Sequence, residues 1–108
     1  MLIKVCNISD LEDQKPKKFS INSIEVVAVK IKNKVFVIDA YCPHKGGNME
    51  YGDVDGYKIK CHLHGYEYSL ENGELVYNPY GKSSGWYFSP NLKVYKVEIK
   101  GEEIFIEV

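Results

Sequence analysis

The sequence predicts an almost all-β fold, and three observations carry that expectation. Its regular stretches alternate apolar and polar residues with a period of two, they are rich in β-branched and aromatic residues, and compact turns bearing Asn or Gly separate them. At 108 residues, with 44% hydrophobic and 27% charged, the chain has the proportions of one globular domain, residues 1–108, rather than two or a disordered segment.

The N-terminal stretch is strand-like, with Ile3, Val5 and Asn7 alternating against Lys4, Cys6 and Ile8. Ile8 to Gln14 is the one segment that reads as a helical turn, with Ser9 as its cap ahead of Asp10, Glu12 and Asp13. The strands that follow are Ile24 to Ile31 (IEVVAVKI), Val35 to Ile38 (VFVI), Tyr57 to Lys60 (YKIK), Leu92 to Ile99 (LKVYKVEI) and Glu103 to Val108 (EIFIEV). Turn signals stand at Lys32-Asn33-Lys34, Asp55-Gly56, Glu71-Asn72-Gly73 and Lys100-Gly101-Glu102. The closing segment reads as an antiparallel hairpin whose Val94, Val97, Ile99, Ile104 and Ile106 face a core. Between about residues 41 and 85 the composition shifts to Gly, Tyr, Pro and Asn, whereas the flanks are rich in Val, Ile and Lys. An insertion carrying functional loops within a β framework explains the contrast.

Charge and composition exclude several classes of partner. The net charge is −1, from 14 lysines and 15 acidic residues, with no arginine. The one basic cluster, Lys15-Pro16-Lys17-Lys18, reads as a solvated loop, so nucleic acid is not expected as a partner. No apolar run reaches the roughly 20 residues that cross a bilayer, and the N-terminus lacks the apolar stretch of a signal peptide, so the expected location is cytoplasmic.

Of three cysteines, two lie in mixed pairs with histidine: Cys42-Pro43-His44 and Cys61-His62-Leu63-His64. One thiolate and one imidazole on each loop suit a 2Fe-2S centre in which two His replace two Cys on one iron. A single tetrahedral zinc can also be built from two Cys and two His. Zinc modules usually pair Cys with Cys and His with His along the chain, which favours the iron-sulfur reading. Cys6 is left over and reads as a small packing residue or free thiol.

Read together, CPHKGG and CHLHGYEY, with sixteen residues between His44 and Cys61, resemble the motifs of the Rieske 2Fe-2S proteins, above all the small soluble ferredoxins of that family. The resemblance spans most of the chain and implies an antiparallel β sandwich or barrel with a cluster-binding insertion over 41–85. It implies one cluster per chain, with Cys42 and Cys61 on one iron and His44 and His64 on the other. His62, where the family often has Pro, is then exposed and not a ligand. Gly46, Gly47 and Gly65 would let the backbone turn its N–H groups toward sulfur, or are simply turn glycines. Pro79 matches a third loop that covers the cluster in this family.

The same resemblance bears on the potential. High-potential members carry a Ser two residues after the second ligand His, where this chain has Tyr66, and a disulfide between positions that are Gly47 and Leu63 here. Tyr68 occupies the place of a tyrosine that donates to a ligand thiolate; an aromatic residue merely packing under the loop is the alternative. The expectation is a low to intermediate potential. No second catalytic centre is visible, so the implied role is a one-electron carrier rather than an enzyme, with a reductase and an acceptor such as an oxygenase as partners. Other readings are a ferredoxin component of a multi-protein oxygenase and a structural zinc module. Lys45, Leu63 and Tyr80 are candidates for the rim where a partner docks.

Overall fold

A period-two pattern of β-branched residues can be buried on one face or on both, and the third strand of this protein shows the second case. The computed structural model describes residues 1–43, 46–79 and 90–108; the expectations placed on His44, Lys45, Tyr80 and residues 81–85 lie outside them. Among the described residues the strands are β1 (Leu2–Asn7), β2 (Lys17–Ile21), β3 (Ile24–Ile31), β4 (Lys34–Asp39), β5 (Asp53–Asp55), β6 (Lys58–Lys60), β7 (Glu67–Ser69), β8 (Leu75–Tyr77), β9 (Val94–Tyr95), β10 (Val97–Lys100) and β11 (Glu103–Glu107). They form three sheets in the orders β1-β11-β10, β2-β3-β4-β9 and β5-β6-β7-β8. Every strand pair is antiparallel.

In β3, Val27, Val29 and Ile31 join one apolar cluster with Ile38, Met49, Ile59, Tyr66 and Tyr68. Val26 and Ala28 join the other, with Ile3, Val5, Val37, Ile104 and Ile106. Burial on both faces explains the nearly unbroken apolar run IEVVAVKI. The β2–β3 hairpin turns through Asn22 and Ser23 at φ 47° and 68°, the left-handed pair that a two-residue type I′ turn requires.

Three local expectations are corrected. The segment after β1 is a short 3₁₀ turn over Ile8–Asp10 capped at Asn7 rather than Ser9, with Asp10 Oδ2 accepting the Asn7 N–H at 2.8 Å. Leu11 leaves it in extended geometry and is buried in the second cluster, which ends the helical path. Leu92 to Ile99 is not one strand: β9 pairs with β4 and β10 with β11, so the chain changes sheets at Lys96. Ile99 is 42% exposed, because β10 is an outer strand with β11 as its one neighbour in the sheet. The turn expected at Lys32-Asn33-Lys34 joins β3 to β4, with Lys32 at φ 55° and its N–H donating to Asp13 Oδ1 at 2.6 Å.

Candidate metal centre

The two cysteine-bearing loops have the same backbone hydrogen-bond scheme. Cys42 N–H donates to Gly47 O at 2.7 Å and Gly46 N–H returns to Cys42 O at 2.8 Å; Cys61 N–H donates to Tyr66 O at 2.8 Å and Gly65 N–H returns to Cys61 O at 3.0 Å. In each loop the residue before the cysteine faces the residue six after it, as Tyr41 with Asn48 and Lys60 with Glu67. Gly46 and Gly65 sit at φ 75° and 78°, a region that costs a residue with a Cβ. The two loops are thus related by a local pseudo-symmetry, although the histidines stand two residues after Cys42 and three after Cys61.

Cys42 and Cys61 are 3% and 2% exposed and share the first apolar cluster with Met49, Tyr66 and Tyr68. Burial pushes the Cys61 thiol up; the backbone N–H groups of Leu63 and His64 hydrogen-bond to its sulfur and pull it down, and the facing Cys42 thiol pushes it up again. The Tyr68 hydroxyl lies 3.4 Å from Cys42 Sγ. Each sulfur therefore has protein polar hydrogens beside it, an arrangement that suits a thiolate once a cation balances its charge. Gly47 closes this cradle, since a Cβ there would stand 2.9 Å from Cys61 Sγ and 3.0 Å from a Leu63 methyl.

His64 is half-buried on the second loop, its Nδ1 shielded from solvent. His62 turns outward, exposed, and meets the Tyr51 ring edge-on at 5.6 Å. Leu63 is 51% exposed, and Pro79 reaches to 3.7 Å from the position a Gly65 Cβ would take, so the segment after β8 touches the second loop. Among the described residues no three His, Cys, Asp or Glu side chains converge as a metal site; the structure brings together Cys42 and Cys61, with His64 on the same loop as Cys61. Cys6 is buried in the other cluster, away from these loops. Sequence reasoning missed Met49 and the pairing of Lys18 with Tyr41 and Glu50, for which spacing along the chain gave no signal.

The model of the Rieske [2Fe-2S] domain matches residues 1–99 of the chain. The chain belongs to this family. A 2Fe-2S cluster is the group such a domain carries, and the paired buried thiols, the N–H and O–H groups beside them and the close approach of the two loops that Gly47 permits fit it. Among curated Rieske relatives, the "Cholesterol 7-desaturase nvd" of Xenopus laevis is 42% identical over 53 residues, 48% of this chain and 12% of that protein. The "Naphthalene 1,2-dioxygenase system, ferredoxin component" of Pseudomonas aeruginosa is 24% identical over 84 residues, covering 78% of this chain and 73% of its own. The solved "Ferredoxin of carbazole 1,9a-dioxygenase from Nocardioides aromaticivorans IC177" superposes with a TM-score of 0.84 at 21% identity, over 98% of this chain and 96% of that one. At that identity the superposition speaks for the all-β Rieske fold alone.

Proposed function

We propose that this Rieske chain is a one-electron carrier, organised as a single domain with the cluster-binding insertion at about 41–85. Its cluster is held by Cys42 and Cys61 on one iron and His44 and His64 on the other. The observation that carries this reading is the meeting of two buried cysteines from loops with the same backbone hydrogen-bond scheme, with the Tyr68 hydroxyl 3.4 Å from one of them. When bound, a 2Fe-2S cluster stores and releases one electron. The chain's own residues would do the rest. Cys42 and Cys61 supply thiolates, while the N–H groups of Leu63 and His64 and the Tyr68 O–H offset the negative charge gained on reduction. Imidazole in place of two thiolates removes formal negative charge and raises the potential above that of a four-Cys centre. The sequence differences at Gly47, Leu63 and Tyr66 keep it low to intermediate.

Exposed Leu63 and His62 at the tip of the second loop, with Tyr51 (64% exposed) from the turn after the first loop set against His62, suit a small, transient docking face for a redox partner. A reductase as donor and an oxygenase as acceptor are the partners inferred from the likeness to a ferredoxin component that the chain spans by 73%. A cytoplasmic place belongs to the same reading; no described helix is long and apolar enough to cross a membrane. The test is an assay of iron, acid-labile sulfide and zinc on the purified protein, with electron paramagnetic resonance after reduction. Two irons and two sulfides per chain are expected; zinc without sulfide would replace this reading with a structural interaction module.

A further inference from the structure

The two loops share a backbone hydrogen-bond scheme but are held at their necks in different ways. The second springs from β6 and β7, inner strands flanked by β5 and β8, so sheet hydrogen bonds fix both of its ends. The first springs from residues outside any strand: β4 ends at Asp39, and the Tyr41–Asn48 pairing is an isolated bridge. Its neck has two further short links, Met49 N–H to Ala40 O and Cys42 N–H to Gly47 O, both at 2.7 Å. The first neck thus rests on fewer strand pairings than the second, with Ala40 N–H donating to Glu25 O of β3 at 3.2 Å, and gains most from a brace outside the loop.

One residue of β2 is placed to supply it. The Lys18 backbone N–H, on the outer edge of its sheet, donates to Glu50 Oε2 at 2.8 Å. Its ammonium donates to the Tyr41 hydroxyl at 2.9 Å, stands 5.0 Å over the Tyr41 ring and is 3.7 Å from Glu25 Oε1. Tyr41 is the residue entering the loop just before Cys42, and Glu50 leaves it just after Met49. Glu50 is itself set in place as its N–H donates to Asn48 Oδ1 at 2.9 Å. Lys18 in turn is fixed in register opposite Val27 of β3.

We propose that Lys18 is a positioning residue for the metal centre: it clamps the incoming and outgoing ends of the first loop to β2 and so determines how firmly Cys42 holds its iron. The proposal rests on the cluster-binding reading above, but its mechanical part concerns the polypeptide alone. The edge N–H of Lys18 is at the same time closed to strand pairing by another chain.

The test compares Lys18→Met, Lys18→Arg, Glu50→Ala and Tyr41→Phe with the unaltered protein by two readouts. One is the rate at which an iron chelator bleaches the visible absorbance; the other is amide hydrogen exchange at Met49 and at Cys61. Loss of one such contact should speed bleaching and Met49 exchange roughly fivefold in Lys18→Met and Glu50→Ala, leave Cys61 exchange unchanged, and be largely restored in Lys18→Arg. Lys58→Met, which breaks the 3.2 Å ion pair with Glu67 at the other neck, should change neither readout. Unaltered bleaching and exchange in Lys18→Met and Glu50→Ala would overturn the proposal, as would equal acceleration at Met49 and Cys61. Tyr41→Phe, which removes one hydroxyl from a partly exposed ring, carries the test should Lys18→Met fail to fold. A protein without iron and sulfide would refute the functional reading instead, and the exchange comparison would still decide on the brace.

Discussion

The Tyr68 hydroxyl lies 3.4 Å from the sulfur of Cys42, in the protein interior where neither residue is more than 3% exposed. A thiolate has no proton to give, so in the metal-bound protein the hydroxyl must be the donor. Such a bond strengthens as the centre gains negative charge. Tyr68→Phe should therefore lower the reduction potential by on the order of 50 mV, given about 1 kcal/mol for the bond and 59 mV per tenfold for one electron. Protein-film voltammetry on both forms measures it, and an unchanged potential would mean that Tyr68 only packs.

His64 and His62 are two residues apart and differ in surroundings, one half-buried and the other exposed against Tyr51. His64→Ala should abolish the native cluster, whereas His62→Ala should leave iron, sulfide and the resonance spectrum nearly unaltered. The reverse outcome would overturn the ligand assignment.

Gly47 leaves no space for a side chain beside Cys61. With a Cβ 2.9 Å from the sulfur and 3.0 Å from Leu63, Gly47→Ala must displace one of them, and cluster content after reconstitution should fall. Gly46→Ala has open space around it and should cost only the strain of its positive φ, about 1 kcal/mol. Equal cluster content in both variants would count against the cradle.

Cys6 gives a prediction for alkaline stability. Burial, with nearby Asp10 adding to it, raises its thiol from 9.0 to about 11. A group whose folded value lies above its unfolded one contributes stability that is complete below the unfolded value and is lost as pH rises through the folded one. The protein should lose at most about 2–3 kcal/mol from this source between pH 9 and 11, and Cys6→Ala should flatten that part of the curve. Urea unfolding across the range reads the difference; parallel curves would show that Cys6 does not titrate there.

Several features were legible along the chain because they are local. Ile24 to Ile31 coincides with β3 to the residue, since a nearly unbroken apolar run between turn signals has few other interpretations. The cysteine and histidine spacing pointed to a metal site, and Leu63 and His62 are exposed as expected. The three-residue strands β5, β7 and β8 are too short for alternation to show, whereas the stretch Tyr57 to Lys60 contains all of β6. The exposure of Ile99 is not legible in the same way, because period two tells which residues share a face but not whether a further strand covers it. The contacts of Lys18 with Tyr41 and Glu50 join residues 23 and 32 positions apart, which no pattern in one sequence reveals.

Val27 and Ala28, adjacent on β3, belong to different apolar clusters, so a single strand serves as the party wall of both compartments. Neither half can come apart without stripping one face of a strand that the other half needs. Stripping the metal should therefore be felt at the far termini, and scanning calorimetry should record a single melting event instead of a lobe that melts by itself.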